Sequence, residues 1–236
     1  MKFSRKNDLK SESRLDEKIK SCVPNASHYR KNYLRGGRFF SFAHQVEEIL
    51  AFNPNRVLEI GPGPGIVTFA LRTAGLDVIT LDIEPSNHTD VLGSVEALPF
   101  CNRAVDVILC CQVLEHLPLN CFIPALCELK RVALLGCIIS LPDITPSYCI
   151  HAKLPLFPNL NYEFSRVRLQ IPDEVPNNRY QRDGHFWEIG LKRAKPRIIR
   201  RSIRDSGWNI SSEFRNIDFQ YHRFFILKHK QDKRCL

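Results

Sequence analysis

The sequence predicts an α/β protein, a mostly parallel sheet with helices on both faces. Three features predict it. Short, continuously apolar strand-like runs alternate with segments of helical period, and such strands are buried on both sides. The first of these runs enters a glycine-rich turn that opens a helix. A long proline-rich stretch then interrupts the alternation, and two more strand-like segments close the chain.

The elements follow in order. Residues 1–25 are polar and charged with few apolar anchors, and they read as a mobile tail ahead of a single domain over 26–236. "FFSFAHQVEEILAF" (39–52) places Phe39, Phe42, Val46, Ile49 and Leu50 at helical spacing. "RVLEI" (56–60) is a strand, and "IVTFALRTAG" (66–75) is a helix ending near Gly75. "DVITLD" (77–82) and "AVDVILCC" (104–111) are strands; "FIPALCELKRVA" (122–133) is a helix, and "GCIISLP" (136–142) a strand. Six of the 15 prolines fall between residues 142 and 190, where no period is clean. This insertion leaves a strand C-terminus, the edge at which open α/β sheets bind ligands, so residues 143–190 are expected to form a lid or substrate loop. "KPRIIRRSIRDSGW" (195–208) is a basic helix stopped at Gly207, and "NISSEFRNI" and "HRFFILKHK" are closing strands.

Composition narrows the function classes. A 236-residue chain that is 44% hydrophobic can bury a substantial core. Charged or turn residues interrupt every apolar run, so no membrane span is expected, and the N-terminus lacks the apolar core of a secretion signal. Nine cysteines without a CxxC pair, mostly in apolar segments, point to packed thiols in a reducing, cytoplasmic setting rather than to a disulfide framework. The net charge of +9 suits anionic partners, and equally a solvated basic surface.

The stretch "VLEIGPGPGIVTFAL" (57–71) carries the chemistry. Glycines between a strand and a helix let the backbone approach a ligand closely and present N–H groups to it. The pattern Gly61-x-Gly63-x-Gly65 lacks the third glycine of a nicotinamide fingerprint, since Ile66 takes that place, and no GK[ST] follows to make a phosphate loop. Glu59, just ahead of the turn, suits a ligand with positive charge. Asp82 ends the next strand, where a carboxylate can accept hydrogen bonds from both hydroxyls of a ribose.

With "LDIEP" (81–85), "ALPF" (97–100) and "QVLEHL" (112–117) following in order, residues 55–142 resemble the class I S-adenosylmethionine-dependent methyltransferases. The resemblance implies a Rossmann-like seven-stranded sheet with the last strand antiparallel and the insertion after the fifth strand. It implies S-adenosyl-L-methionine as cofactor. Gly61, Gly63 and Gly65 would line its methionine and ribose, and Glu59 would orient the loop or meet the amino group. Asp82 would hold the ribose diol, Ile83 would pack on the adenine, and Val95 would offer its N–H to the ring. Ser94 stands where the family often has an acid contacting the adenine amino group, and Gln112 would face the methionine part. The link from Asp82 to Leu98 is short for the family. Some relatives use E-x-x-E-H to hold a divalent metal for RNA-end methylation. Gln112 replaces the first glutamate, which leaves only Glu115 and His116, so no metal is expected.

A sulfonium methyl is already activated, so the protein mainly aligns the in-line displacement and needs a base only when the acceptor must lose a proton. The candidate bases are His116, Asp143 just past the strand end, and His185 in "YQRDGHFWE" (180–188). The acceptor is expected to be a small or anionic molecule. RNA bound through the basic segment 192–204 is the alternative, and a non-catalytic cofactor-binding subunit a third reading. "CQVL" stands where an (N/D)PP(F/Y) tetrapeptide would mark base-amino methylation of nucleic acid.

Overall fold

The computed structural model describes residues 37–85, 89–146, 184–216 and 218–229. The expected tail over 1–25 and most of the expected lid over 143–190 lie outside these residues.

Seven strands make one sheet: β1 (Arg56–Ile60), β2 (Asp77–Asp82), β3 (Val91–Leu92), β4 (Val105–Cys111), β5 (Ala133–Pro142), β6 (Trp208–Arg215) and β7 (His222–His229). The spatial order is β3-β2-β1-β4-β5-β7-β6. Neighbours from β3 through β5 pair in parallel, and β7 runs antiparallel to both β5 and β6. The chain builds one half of the sheet outward from β1 and the other outward from β4. The order therefore reverses between these two strands, and their C-terminal ends flank the crevice where open α/β sheets take ligands.

Among the described residues four α-helices cover the faces: α1 (Arg38–Leu50), α2 (Ile66–Thr73), α3 (Phe122–Val132) and α4 (Pro196–Asp205). Alternation along each strand sends side chains to opposite faces. Val57, Val78, Leu109, Ile138 and Phe224 meet Ile49 of α1 with Val67 and Leu71 of α2 in one core. Leu58, Leu81, Ile108, Ile139 and Phe225 meet Leu126 and Leu129 of α3 with Ile199 and Ile203 of α4 in the other. A register shift in β4 between Val105 and Val107 lets Val105 join the second core and Val107 the first. Each of these fully buried aliphatic side chains stabilises by about 1.5–3 kcal/mol.

The helix ends follow from local chemistry. α4 opens with Pro196 in its first turn, where a missing N–H costs nothing, and the chain leaves through Gly207 at φ 87°. α1 forms over the expected residues, but its fully buried stripe is Ser41, Gln45 and Ile49, while Phe39 is 56% exposed. The helix is turned so that its polar residues meet a polar partner at the sheet's end, described below.

The insertion leaves and rejoins the sheet at one place. Asp143 and Ile189 pair in parallel, the Ile189 N–H donates to the Pro142 carbonyl, and the Ile144 N–H donates to the Ile189 carbonyl, each at 2.9 Å.

Candidate active site at the strand-order reversal

The glycine turn sits at the C-terminal end of β1. Gly61, Gly63 and Gly65 have φ of 68°, 54° and 71°, the left-handed region that glycine enters without steric cost. Gly61 also has no room for a side chain, because a Cβ there would lie 2.5 Å from Val113 Cγ2. Gly65 differs, with nothing within 4 Å of a Cβ, so its requirement is conformational alone. It caps α2, and its N–H donates to the Pro62 carbonyl at 2.9 Å.

Glu59 lies beneath this turn, 4% exposed, and accepts a 2.5 Å hydrogen bond from the Thr68 hydroxyl on α2. Burial raises its pKa from the ordinary 4.5 to about 7, against the opposing pull of Thr68 and Arg72. The carboxyl thus ties strand to helix and lines the crevice together with Gly61, Pro62, Gly63, Arg38, Phe42, Gln112 and His222.

Asp82 ends β2 in register with this turn, since the Gly61 N–H donates to the Leu81 carbonyl at 2.9 Å. One Asp82 oxygen accepts the Glu84 N–H at 3.1 Å, and Ile83 beside it is 42% exposed. β3 follows, a two-residue strand that fits the short link. Beyond it, Ser94 Oγ accepts the Glu96 N–H at 3.2 Å and the Val95 side chain is buried.

Across the crevice, Gln112 leaves β4 at φ 57°, unusual for a non-glycine residue. Its N–H donates to the Ser140 carbonyl at 2.9 Å, and its amide reaches Ser140 Oγ at 3.2 Å. With the amide turned to satisfy both of its ends, its nitrogen donates to His222 Nε2 and Glu115 Oε1, each at 3.3 Å. His222 is buried, and its Nδ1 lies 2.7 Å from Ser41 Oγ of α1. Burial, helped by Arg38 and His185, holds its pKa well below 6.5, so the ring is neutral. This contact explains the turn of α1.

The structure brings His116 and His185 together and gives Asp143 a different setting. His116 ends a 3₁₀ turn (Leu114–His116), and its ring packs edge-on against His185 with centroids 4.8 Å apart. The Phe186 N–H donates to the Glu115 carbonyl at 2.8 Å and the Trp187 indole N–H to the Leu117 carbonyl at 3.0 Å, which clips 185–187 onto the turn. His185 Nδ1 lies 2.9 Å from Glu188 Oε1, which also accepts the Tyr221 hydroxyl at 2.6 Å. Asp143 is 1% exposed; one oxygen accepts the Thr145 N–H and hydroxyl, and the other accepts Arg223 Nε at 2.5 Å. The buried cysteines Cys110 and Cys137 have pKa values raised well above the ordinary thiol value, chiefly by burial, and pack as inert groups.

Sequence reading missed Arg38, Ser41, Ser140, Tyr221 and His222. Ser41 and His222 meet across 181 residues of chain, and neither carries a local motif. Among the described residues no helix is long and apolar enough to cross a membrane.

Comparison with known proteins agrees with this geometry. Residues 58–140 match the family model described as a methyltransferase domain. Among curated proteins no sequence matches the chain. The fold resembles that of magnesium protoporphyrin IX methyltransferase (ChlM) from Synechocystis PCC 6803 with bound SAH, at 16% identity and a TM-score of 0.56, over 92% of this chain and 95% of that one. It also resembles the glycopeptide N-methyltransferase MtfA complexed with (S)-adenosyl-L-homocysteine, at 15% identity and a TM-score of 0.54, over 80% and 90% of the two chains. The PH0226 protein from Pyrococcus horikoshii OT3 follows at 13% identity and a TM-score of 0.52, over 81% and 91%. Residues 58–140 thus resemble a methyltransferase domain, and the seven-stranded sheet with a glycine turn at its order reversal is the fold of the two methyltransferase structures.

Proposed function

We propose that the protein binds S-adenosyl-L-methionine in the crevice between β1 and β4 and directs its methyl group to a small or anionic acceptor. One observation carries this reading. Three alternate glycines in the left-handed region follow β1, and Asp82 ends the neighbouring strand in register with the start of that turn. A turn bare of side chains beside a carboxylate fits a ligand with a ribose diol and an adjoining amino acid.

Bound there, the cofactor supplies a methyl group already activated by the sulfonium. The chain's own residues do the rest. Gly61 and Gly63 let the backbone lie against the methionine and ribose, and Asp82 accepts from the ribose hydroxyls. Ile83 offers its exposed face to the adenine, with Ser94 and the Val95 N–H at the ring edge. Glu59 holds the turn onto α2, and Gln112 borders the methionine side. His116 and His185, paired on the β4 flank, are the groups we assign to the acceptor side of the crevice. Asp143 we assign to the fold, given its partners.

RNA as acceptor is a weaker reading. Arg200 of α4 is bonded to Glu213 at 2.6 and 2.9 Å, and Ile199 and Ile203 turn α4's apolar face inward; the other α4 arginines lie outside as an ordinary solvated face.

Calorimetry tests the proposal. Wild type is expected to bind S-adenosylmethionine and its demethylated product in the micromolar range. Asp82→Ala should lose roughly 1.5–3 kcal/mol through missing charge-assisted hydrogen bonds. No binding by wild type, or equal binding by the variant, sinks it.

A further inference from the structure

We propose that Glu115, His116 and His185 form a binding site for a divalent transition-metal cation of the zinc, cobalt or manganese class. The sequence counted two ligands at this point and expected no metal. Folding supplies the third from the far end of the insertion.

One donor atom from each of these residues lies within 4.8 Å of the others. Donors around a four-coordinate cation stand about 3.4 Å apart when each bond is about 2.1 Å, so small side-chain rotations close the set. Two imidazoles and one carboxylate are the donor types this class of cation prefers over magnesium or calcium, which favour all-oxygen shells.

A second observation points to a ligand. Glu115 is fully buried, and its Oε2 has no hydrogen-bond partner among the described residues. A bare carboxylate oxygen in the interior is costly unless something positive meets it.

The surroundings are those of a supported site. His116 Nδ1 lies 3.2 Å from the Gly184 carbonyl and His185 Nδ1 lies 2.9 Å from Glu188 Oε1, the second itself steadied by Tyr221. A ring whose Nδ1–H donates to an oxygen is fixed in the tautomer that ligates through Nε2. The 3₁₀ turn orients Glu115 and His116, and the backbone bond from Phe186 to Glu115 fixes the approach of His185. Three protein donors leave a coordination position for water or another ligand, and Gln112, which lines the crevice, links it to the site through Glu115 Oε1. Metal binding at this site does not depend on the methyl-transfer proposal.

The test uses the full chain, stripped of metal with a chelator and titrated with Co²⁺ by calorimetry and absorption. One equivalent should bind in the micromolar range or tighter, with a spectrum of nitrogen and oxygen donors. His185→Ala and His116→Asn should each weaken binding about 100-fold or more, beyond the 10- to 100-fold that loss of a supporting partner costs. Absence of binding by wild type, a thiolate charge-transfer band marking cysteine ligation, or unchanged affinity in folded His185→Ala overturns the proposal. The wild-type spectrum decides the matter even where a variant fails to fold.

Discussion

The two flanks of the crevice are built in opposite ways. On the β1 side, the glycine turn, Glu59 and Asp82 come from one strand–turn–helix–strand run, and what matters is backbone conformation. On the β4 side, Glu115, His116, His185, Glu188, Tyr221 and His222 come from three separated segments, and what matters is side-chain assembly. The first flank is specified locally and can be damaged by one residue's dihedral. The second exists only once β5, β7 and the end of the insertion are in place.

Substitutions can break this contrast, and the largest effect should come from the assembled flank. Asp143→Ala removes the buried carboxylate that bonds Arg223 and lies 3.8 Å from Arg215, leaving Glu213 as the carboxylate paired with Arg223. Breaking such a pair costs about 3–5 kcal/mol. Urea unfolding should show that loss, and a variant of normal stability but lost activity would instead return Asp143 to the chemistry.

Next comes the local flank. Gly63→Val places a β-branched residue at φ 54°, which costs about 1–3 kcal/mol of strain, and sets a side chain on the turn. Cofactor affinity should drop by about 100-fold, roughly 2.7 kcal/mol, while the circular dichroism of the folded state is kept. Normal binding would make the turn purely structural.

Glu59 sharpens the comparison through pH. Its folded pKa of about 7 lies above the ordinary 4.5 because burial penalises the charge. Its contribution to stability is therefore present in full below about pH 4.5 and is lost as pH rises through about 7. Glu59→Gln, neutral throughout and able to accept from Thr68, should escape that loss. The variant should gain about 1–3 kcal/mol relative to wild type between these limits in denaturant titrations at several pH values. A constant difference would mean that the buried carboxylate is fully compensated.

The smallest effect belongs to the outer face of α4. Arg201 lies 3.4 Å from Asp205 with both side chains largely exposed, so Arg201→Ala should change stability by less than about 0.5 kcal/mol. Wild type should show no submicromolar, salt-dependent RNA binding at physiological ionic strength, and such binding would raise the RNA reading above the small-molecule one.

The same contrast explains what could be read from sequence. The parallel strands and the glycine turn were legible because apolar period and glycine spacing are local signals. β5 was expected from Gly136 but begins at Ala133, because no turn residue separates α3 from the strand and Leu134 and Leu135 stay half-exposed. β3 carries only two residues, too few to show a period. The buried face of α1 was misjudged because Ser41 and Gln45 are buried by partners from β7 and the crevice, not by their own apolarity. His185 was legible as a candidate, but its pairing with His116 was not, since the intervening chain gives no register.

The pairing of Asp143 with Ile189 has a consequence for how this chain can change. Because the insertion departs and returns at adjacent points, its length is nearly decoupled from the sheet. Doubling such a loop adds only about 0.6 kcal/mol of closure entropy. Segments between these two residues can be exchanged, shortened or extended as a cassette while the strands beneath keep their register.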